Sequence, residues 1–479
     1  MLDKVVAEET HVLRAGSGTV ETDERRSSGE PASGDVNSLT FDERGKVYRS
    51  GAEIRRHIVP ALRETFARLE RDGWLEKLSE AGMVRTWGID DCTIGHEVLP
   101  FITYPQEWTL RMLHGAALCT LDVSMVLNRV GLRLHDPHCW NVSFRHGRPV
   151  YLDFSSIVEG KNLGVRWIHD FFLGFYVPLW LGSRSLLNKA FRRLARAVQF
   201  TEHDWRLGPQ PRAEWRQAFG PRRLGRLCRK FWRIVDSSSA GGDPLRMLEN
   251  LREHVASLDF GAIETPFGDY KDPGGEFGDL ASYSPKAVAV CKLLQMLPPG
   301  RVVDLACNKG WFCGLAASMG HTALGIDLDE NAVDAARETR AGQWGFDVAK
   351  MNVLWPTPAQ GAFLMYPAAL DRWQCDTVML IAVEHHLVLR NRVGFEALAV
   401  LAKRLGAGNV IIEWVGSDDV VVQWWLKQKT IEALPAWYTE TEFVAAFSKH
   451  FPKHQKGPSG AGYDGFPEPI RRTMYLFQR

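Results

Sequence analysis

The sequence offers little that would place it among disulfide-stabilised, zinc-stapled or membrane-spanning proteins. Its eight cysteines are scattered over 479 residues, and none belongs to a Cys-x-x-Cys pair or a Cys/His spacing typical of a zinc module. The first residues lack the apolar core of a signal peptide. The longest apolar run, residues 167–181, is interrupted by His169, Asp170, Gly174 and Pro178 and is too short to span a bilayer. We therefore expect a cytoplasmic protein with reduced thiols and no transmembrane segment.

Neither sign of charge is in excess over the whole chain. The 58 Lys and Arg residues face 57 Asp and Glu residues, a formal net charge of +1. This balance argues against a dedicated nucleic-acid binder. Residues 161–235 are the exception, with 16 Lys and Arg against four Asp and Glu. That region fits amphipathic helices with solvated arginines better than a surface for an anionic acceptor, a nucleic acid or a membrane, although a peripheral membrane contact stays open.

The pattern along the chain predicts several domains, as expected for this length. Residues 1–38 are rich in Ser, Gly, Glu and Asp and predict a disordered tail. Residues 39–160 indicate an α+β region, and residues 161–260 a basic helical region with a linker. Residues 261–479 alternate strand and helix patterns, which favours a mostly parallel, doubly wound α/β domain.

Shorter stretches give more local predictions. Helical spacing of apolar residues predicts a helix over residues 54–78 and another over 110–130. Residues 142–153 read as a hairpin around a glycine turn. The final apolar stretch, residues 473–478, predicts an edge strand.

One β-α-β unit in the C-terminal half carries the strongest chemical signal. The stretch VVDLACNKGWFC, residues 302–313, reads as a strand that runs into a cofactor-binding turn. A second strand ends at Asp327, 23 positions after Asp304. A cofactor in such a unit lies over the carboxyl ends of the strands, where Asp327 would accept hydrogen bonds from two ribose hydroxyls.

The glycine pattern of this turn discriminates between cofactors. A dinucleotide loop requires G-x-G-x-x-G so that pyrophosphate can approach the backbone amides. The three corresponding places hold Ala306, Asn308 and Gly310. The loop therefore favours a cofactor without phosphate groups.

These residues resemble the first motif of the class I S-adenosylmethionine-dependent methyltransferases, roughly V-L-D-x-G-C-G-x-G. Ala306 and Asn308 replace two of its glycines. The resemblance implies a Rossmann-like methyltransferase domain with S-adenosyl-L-methionine as cofactor. It also implies that the ribose lies at Asp327 and that a third contact lies near Asn352. The implied cofactor-binding residues are Asp304, Ala306, Cys307, Asn308, Gly310, Asp327 and Asn352.

The predicted fourth strand, residues 375–383, ends at Glu384, His385 and His386. This position lies beside the reactive end of the cofactor in a doubly wound sheet. A hydroxyl or amine acceptor must lose a proton, and histidine is the usual base near neutral pH. Either histidine is a candidate catalytic base and Glu384 a candidate to orient it, whereas the alternative is that one histidine only caps the strand. The pair is not a metal motif by itself, so no metal site is expected here.

Four stretches together resemble the methyltransferase family around the rhizobial nodulation protein NoeA. They are FITYPQEW at 101–108, HDPHCWNVSF at 135–144, IAVEHHL at 381–387 and the ending RTMYLFQR. The resemblance covers residues 39–479 and implies methyl transfer with a link to nodulation. It leaves the acceptor open, with a carbohydrate or another small molecule as the expected class.

A second pattern in the N-terminal half matches phosphotransferases. Asp136, Asn141 and Asp153 have the spacing of a kinase catalytic loop followed by a metal-binding aspartate. A glycine-rich loop and a Val-Ala-Ile-Lys-like strand are missing upstream. The preferred interpretation is a kinase-like region without phosphotransfer. The alternatives are an ATP-dependent phosphotransferase, with Asn141 and Asp153 as metal ligands, or coincidence. For the whole chain, a non-catalytic scaffold is the remaining alternative.

Overall fold

The computed structural model describes residues 44–183, 229–239, 242–261, 271–361, 364–459 and 472–479. The predicted tail and most of the basic region lie outside the described residues. Ser38–Arg479 pack as one unit, and the domain boundaries after residues 160 and 260 stay a prediction. Residues 44–261 are called the N-terminal part below, and residues 271–479 the C-terminal part.

The N-terminal part opens with a four-stranded antiparallel sheet and two helices. Its elements are β1 (Gly45–Ser50), β2 (Glu53–Ile58), α1 (Pro60–Arg71), α2 (Trp74–Glu80), β3 (Thr86–Asp90) and β4 (Thr93–His96), with strand order β1-β2-β4-β3.

The helix predicted over residues 54–78 was wrong at its start. Residues 54–58 belong to β2, which pairs with β1 on one side and with β4 on the other. The helix begins at Pro60, because proline has no N–H to lose and is suited to a first helical position. Gly73, at φ 72°, then separates α1 from α2.

A long buried helix organises the rest of the N-terminal part. Helix α3 (Leu110–Arg129) confirms the prediction, and its N-terminus is capped by Thr109 Oγ1, which accepts the Met112 N–H at 3.0 Å. Among the described residues it is the one helix long and apolar enough to cross a membrane, and 56% of its most apolar window is buried inside the protein. The buried core helix of a protein passes the same test, so this finding does not by itself indicate a membrane-spanning helix.

The predicted hairpin is also confirmed, as β6 and β7 of the following set. The remaining elements of the N-terminal part are β5 (Leu132–Leu134), β6 (Val142–Arg145), β7 (Arg148–Tyr151), β8 (Ile157–Glu159), α4 (Gly164–Phe171), α5 (Val177–Gly182), α6 (Arg229–Ser239) and α7 (Pro244–Ala256).

The C-terminal part is a seven-stranded sheet with helices on it. Its elements are α8 (Pro285–Gln295), β9 (Arg301–Leu305), α9 (Trp311–Ser318), β10 (Thr322–Asp327), α10 (Glu330–Ala336), α11 (Gly342–Trp344), β11 (Asp347–Lys350), α12 (Ala369–Arg372), β12 (Thr377–Leu380), α13 (Phe395–Arg404), β13 (Asn409–Val415), α14 (Val420–Lys427), α15 (Glu440–Ser448), β14 (Lys453–Ser459) and β15 (Arg472–Gln478).

The strand order is β11-β10-β9-β12-β13-β15-β14. The first five strands in this order are parallel, and β15 is antiparallel to both of its neighbours. This is the mostly parallel, doubly wound α/β sheet that the alternating strand and helix pattern predicts. The last strand, β15, is not the edge strand predicted from its sequence. Tyr475, Leu476 and Phe477 are buried between β13 and β14, whereas the lysine-bearing β14 takes the exposed edge, where charged side chains suit it better.

Candidate functional site

A crevice for a ligand is expected where the strand order reverses, between β9 and β12. From β9 the chain continues to β10 and β11 on one side, and later to β12 and β13 on the other. The loops after β9 and β12 therefore separate at the carboxyl edge of the sheet, which is where open α/β sheets bind ligands. The predicted cofactor turn and the predicted histidines follow these two strands.

The backbone of the turn after β9 has the positive φ angles typical of glycine, although only one of its three motif positions is a glycine. Ala306, Asn308 and Gly310 all have positive φ, at 114°, 49° and 78°. Asparagine tolerates the left-handed region, but alanine at 114° stores strain of order 1–3 kcal/mol. Gly310 is required for a second reason, since a Cβ there would lie 2.6 Å from the Phe346 ring.

All five backbone N–H groups of this turn have partners inside the protein. Those of Ala306 and Cys307 both donate to the Ile326 carbonyl oxygen, at 2.8 and 3.0 Å. Asn308 N–H donates to Asp327 Oδ2 at 2.7 Å. The other two are paired within the turn, Lys309 N–H with Asn308 Oδ1 and Gly310 N–H with the Cys307 carbonyl oxygen, both at 2.9 Å. The turn therefore offers no unpaired amide to a pyrophosphate.

Asp327 lies at the end of β10 and faces the turn. Its Oδ2 accepts the Asn308 N–H, and its Oδ1 accepts the Asp329 N–H at 2.8 Å. Burial raises the pKa of Asp327 to about 6, although the backbone hydrogen bonds oppose that shift. Each carboxylate oxygen has a second lone pair, so both can still accept a hydroxyl.

Asp304, the acid of the motif, is buried under the turn. Its Oδ1 forms no hydrogen bond among the described residues, and its Oδ2 lies 3.8 Å from the Cys313 Sγ. Burial, together with the charge of Asp327, raises the pKa of Asp304 to about 8. A buried oxygen without a partner is costly, and a cationic donor placed beside it would remove that cost.

Asn352 follows β11 and lies next to the ribose candidate in the fold. The Met351 N–H donates to the Asp327 carbonyl oxygen at 2.9 Å, and Asn352 Oδ1 accepts the Leu354 N–H at 3.0 Å. Two apolar side chains of the neighbouring loops, Leu328 and Trp355, are 50% and 68% exposed. The sequence analysis did not identify them, although an apolar residue directly after the ribose acid was a usable signal.

Glu384, His385 and His386, which follow β12, differ in their exposure to solvent. Glu384 and His385 are fully buried, and only His386 retains an exposed fraction. Burial lowers the pKa of His386 to about 4 and that of His385 well below its usual value, so both rings are neutral at physiological pH. Among the described residues, no group of three or more His, Cys, Asp or Glu side chains is arranged to hold a metal ion.

Glu384 contacts a tyrosine instead of a histidine. The Tyr438 hydroxyl lies 3.4 Å from Glu384 Oε2 and 2.7 Å from the Val415 carbonyl oxygen, and Glu384 Oε1 has no hydrogen-bond partner in the part of the chain that the structure describes. Burial raises the pKa of Glu384 well above its usual value. The geometry therefore gives no direct hydrogen bond through which Glu384 would orient either ring.

A tryptophan that the sequence analysis missed holds both histidines. Trp425, on α14, stacks on His385 with ring centroids 5.3 Å apart and meets His386 edge-on at 4.8 Å. The Arg390 guanidinium lies 5.5 Å from the same ring. Because Trp425 is only 3% exposed, it fixes both imidazoles from the protein side.

A buried ion-pair network lies beside the histidines and links β15 to the centre of the sheet. Arg472 pairs with Asp419 at 2.9 Å and lies 3.6 Å from Glu413, which also pairs with Lys286 at 3.2 Å. The Arg472 charge contributes to the low pKa of both histidines. These residues were not identified from the sequence, because they come from four separate elements.

The phosphotransferase-type residues of the N-terminal part also come together. Asn141 Nδ2 donates to the Asp136 carbonyl oxygen at 2.8 Å, and the charge of Asp153 contributes to a raised pKa of Asp136, for which burial is the main cause. Arg56, from β2, was not identified from the sequence and lies 3.1 Å from Asp153.

Comparison with known proteins gives one clear relative. No family model matches the chain. The chain is 26% identical over 415 residues to the nodulation protein NoeA of Rhizobium meliloti (strain 1021), covering 80% of this chain and 81% of NoeA.

Several solved structures share part of the fold. The bifunctional kinase-methyltransferase WbdD matches at a TM-score of 0.26 and 17% identity, over 40% of this chain and 37% of WbdD. TehB from Haemophilus influenzae matches at 0.28 and 15%, over 40% and 61%. The methyltransferase domain of bacterial CtHen1 matches at 0.29 and 13%, over 41% and 98%. The resemblance to NoeA that the four sequence stretches indicate is confirmed by the sequence comparison: the chain is similar to NoeA over most of its length.

Proposed function

We propose that this protein is an S-adenosylmethionine-dependent methyltransferase whose site lies in the crevice between β9 and β12. The observation that carries the proposal is the turn of residues 306–310, in which every N–H group is already paired. A dinucleotide turn offers free amides at these positions to its pyrophosphate. A ligand that offers a ribose and no phosphate does not need them.

The residues around the turn fit S-adenosylmethionine. Both oxygens of Asp327 retain capacity to accept the ribose hydroxyls. The buried Asp304 suits the cationic amino-acid end, since a positive charge nearby would lower its raised pKa and stabilise the carboxylate. Asn352 and the exposed Leu328 provide polar and apolar surface for the base. When bound, the cofactor supplies a methyl group on a sulfonium.

The chain's own part in the reaction is to position the acceptor and to take its proton. Both histidines are neutral at physiological pH, and His386 is the better candidate because it is the less deeply buried of the two. His385 is 1% exposed and supports its neighbour, with a ring-centroid distance of 4.5 Å. Glu384, which precedes His385, is buried and contacts the Tyr438 hydroxyl.

The remaining assignments follow from this proposal. The C-terminal part is the catalytic domain, and the N-terminal part is a kinase-like α+β region that precedes it. The acceptor is a small molecule or a carbohydrate, the protein acts in the cytoplasm, and its similarity to NoeA supports a role in nodulation.

The test is a calorimetric titration of S-adenosylmethionine into the wild-type protein and into the Asp327→Ala variant. Wild type should bind, and Asp327→Ala should lose binding by tenfold or more, because two hydrogen bonds to a charged group disappear. Asp90→Ala is the matched control, since Asp90 also ends a strand and accepts the N–H two residues on, at 2.8 Å. Normal binding by Asp327→Ala would show that the ribose lies elsewhere.

A further inference from the structure

The N-terminal part carries two sequence stretches that the proposed methyl transfer does not use, FITYPQEW and HDPHCWNVSF. The second contains the phosphotransferase-type residues Asp136 and Asn141, and Asp153 follows it. Such residues hold magnesium and ATP in kinases. Whether they fit that group here can be judged from their contacts.

The metal-binding position is already filled by a side-chain cation. The Arg56 guanidinium lies 3.1 Å from Asp153 Oδ1, with 5% of its side chain exposed. The same guanidinium donates to the Ser155 hydroxyl at 2.6 Å and to the Gly45 carbonyl oxygen at 3.1 Å. Arginine does not lose its proton in proteins, so a divalent cation at Asp153 would meet a fixed positive charge.

The catalytic-base position also has a cationic neighbour, although this one is largely exposed. Arg166 pairs with Asp136 Oδ1 at 2.8 Å and lies 3.6 Å from Asp170. The residues present therefore do not fit magnesium-bound ATP, and no phosphoryl-transfer step is derived from them.

Both unused stretches instead reach the same segment of the C-terminal part. Trp140, between the two phosphotransferase-type residues, packs on Tyr366 with ring centroids 4.8 Å apart. Tyr104, from FITYPQEW, contacts both rings, at 5.4 and 5.8 Å. The Arg372 guanidinium lies 3.7 Å from the Tyr104 ring and pairs with the buried Glu107.

The contacted segment begins at the proposed cofactor site. It runs from Asn352 to Arg372, and the structure describes it except for residues 362 and 363. Gln360 and Tyr366 exchange both backbone hydrogen bonds at 2.9 Å, so holding Tyr366 also holds Gln360, from which an irregular loop leads back to Asn352. At its far end, Trp373 Nε1 donates to the Ile102 carbonyl oxygen at 2.9 Å.

We infer that the N-terminal part is a metal-free positioning module, in which Trp140 and Tyr104 fix residues 352–361 and 364–372 and through them Asn352 at the proposed methyl-donor site. The inference rests on the proposed function for its affinity readout. Trp140 is a positioning residue in this scheme, since it acts on the donor through Tyr366 and Asn352.

The first experiment is hydrogen exchange of the ligand-free full chain. Trp140→Ala should accelerate exchange in peptides covering residues 351–361 and 364–372, and Trp140→Phe should restore protection. Trp87→Ala, which removes an exposed tryptophan from β3 of the same part, is the control and should leave those peptides unchanged. Unchanged exchange in Trp140→Ala overturns the inference, whether or not S-adenosylmethionine binds.

The second experiment is calorimetric titration. Trp140→Ala should weaken S-adenosylmethionine binding about three- to tenfold, the size of a lost aromatic pair. The effect should vanish when Asn352→Ala is already present, and additive effects would contradict the coupling. In titrations of ATP with magnesium, wild type and Asp153→Ala should behave alike. Binding by wild type that Asp153→Ala loses would overturn the metal-free assignment. Absence of S-adenosylmethionine binding in wild type would instead refute the proposed function alone.

Discussion

At the scale of single residues, the two sides of the crevice share an uncommon backbone. Ala306 after β9 and Ala382 after β12 both have positive φ, at 114° and 56°, in positions where glycine would be unstrained. Backbone strain of this kind persists only where surrounding structure imposes it, and it concentrates at ligand sites. The strain on both neighbouring strands supports the location proposed for the reaction.

The histidines give a prediction about pH. His386→Ala should lower kcat about 100-fold or more, the usual cost of removing a general base, with cofactor affinity unchanged. Because the pKa of His386 is lowered to about 4, its base form is fully present above pH 5, and kcat should stay level from pH 5.5 to 7.5.

The measurement is steady-state kinetics on wild type, His386→Ala and His385→Ala across that range. His385→Ala serves as the comparison, with a smaller loss expected from the more deeply buried ring. A wild-type kcat that falls below pH 6.5 would show that the base has an ordinary histidine pKa and would contradict the assignment.

At the scale of elements, much of the C-terminal sheet was predictable and its connections to the N-terminal part were not. The motif around Asp304 and the ribose candidate Asp327 belong to one β-α-β unit, so local sequence specifies them. Arg372 and Glu107 are 265 positions apart, and nothing local marks them as partners. The same holds for Arg56 and Asp153, and for Trp425 beside the histidines.

The short helix α12 should depend strongly on one of these distant contacts. Glu107 is fully buried and pairs with Arg372, which also donates to the Ile102 carbonyl oxygen. Arg372→Ala should cost about 3–5 kcal/mol of unfolding free energy, because it leaves a buried carboxyl group without its partner.

Chemical denaturation of the variants measures this cost. The double variant Glu107→Leu with Arg372→Met should recover much of the loss, since it removes both charges. Lys449→Ala breaks an ion pair of 2.7 Å between exposed side chains and should change stability little. An Arg372→Ala variant as stable as wild type would show that the pair does not anchor α12.

At the scale of the whole molecule, the N-terminal and C-terminal parts form hydrogen bonds with each other and share a hydrophobic core. Phe101 belongs to the N-terminal part but is fully buried in the apolar cluster of the C-terminal sheet. The Leu110 N–H donates to Glu330 Oε1 at 3.0 Å, and the His146 N–H donates to Asp347. Their interface therefore continues the core of the C-terminal part.

Residues 271–479 expressed alone should consequently be less stable than the same residues within the full chain. The loss of a buried phenylalanine alone costs about 3–5 kcal/mol, and Arg372 would lose its partner as well. Thermal unfolding of the fragment and of a second fragment, residues 38–479, provides the comparison. Equal unfolding midpoints would show that the C-terminal part does not need the N-terminal part for its stability.

The position of β15 has a consequence for how the protein is made. Strands β13 and β14 are joined only through β15, whose residues 472–478 are translated after every other strand of the sheet. Arg472 on that strand also completes the charges beside the histidines. A chain to which residues 472–478 have not yet been added thus holds the loop after β9 and strand β12 in an unclosed sheet, and the proposed site is completed only when this strand joins.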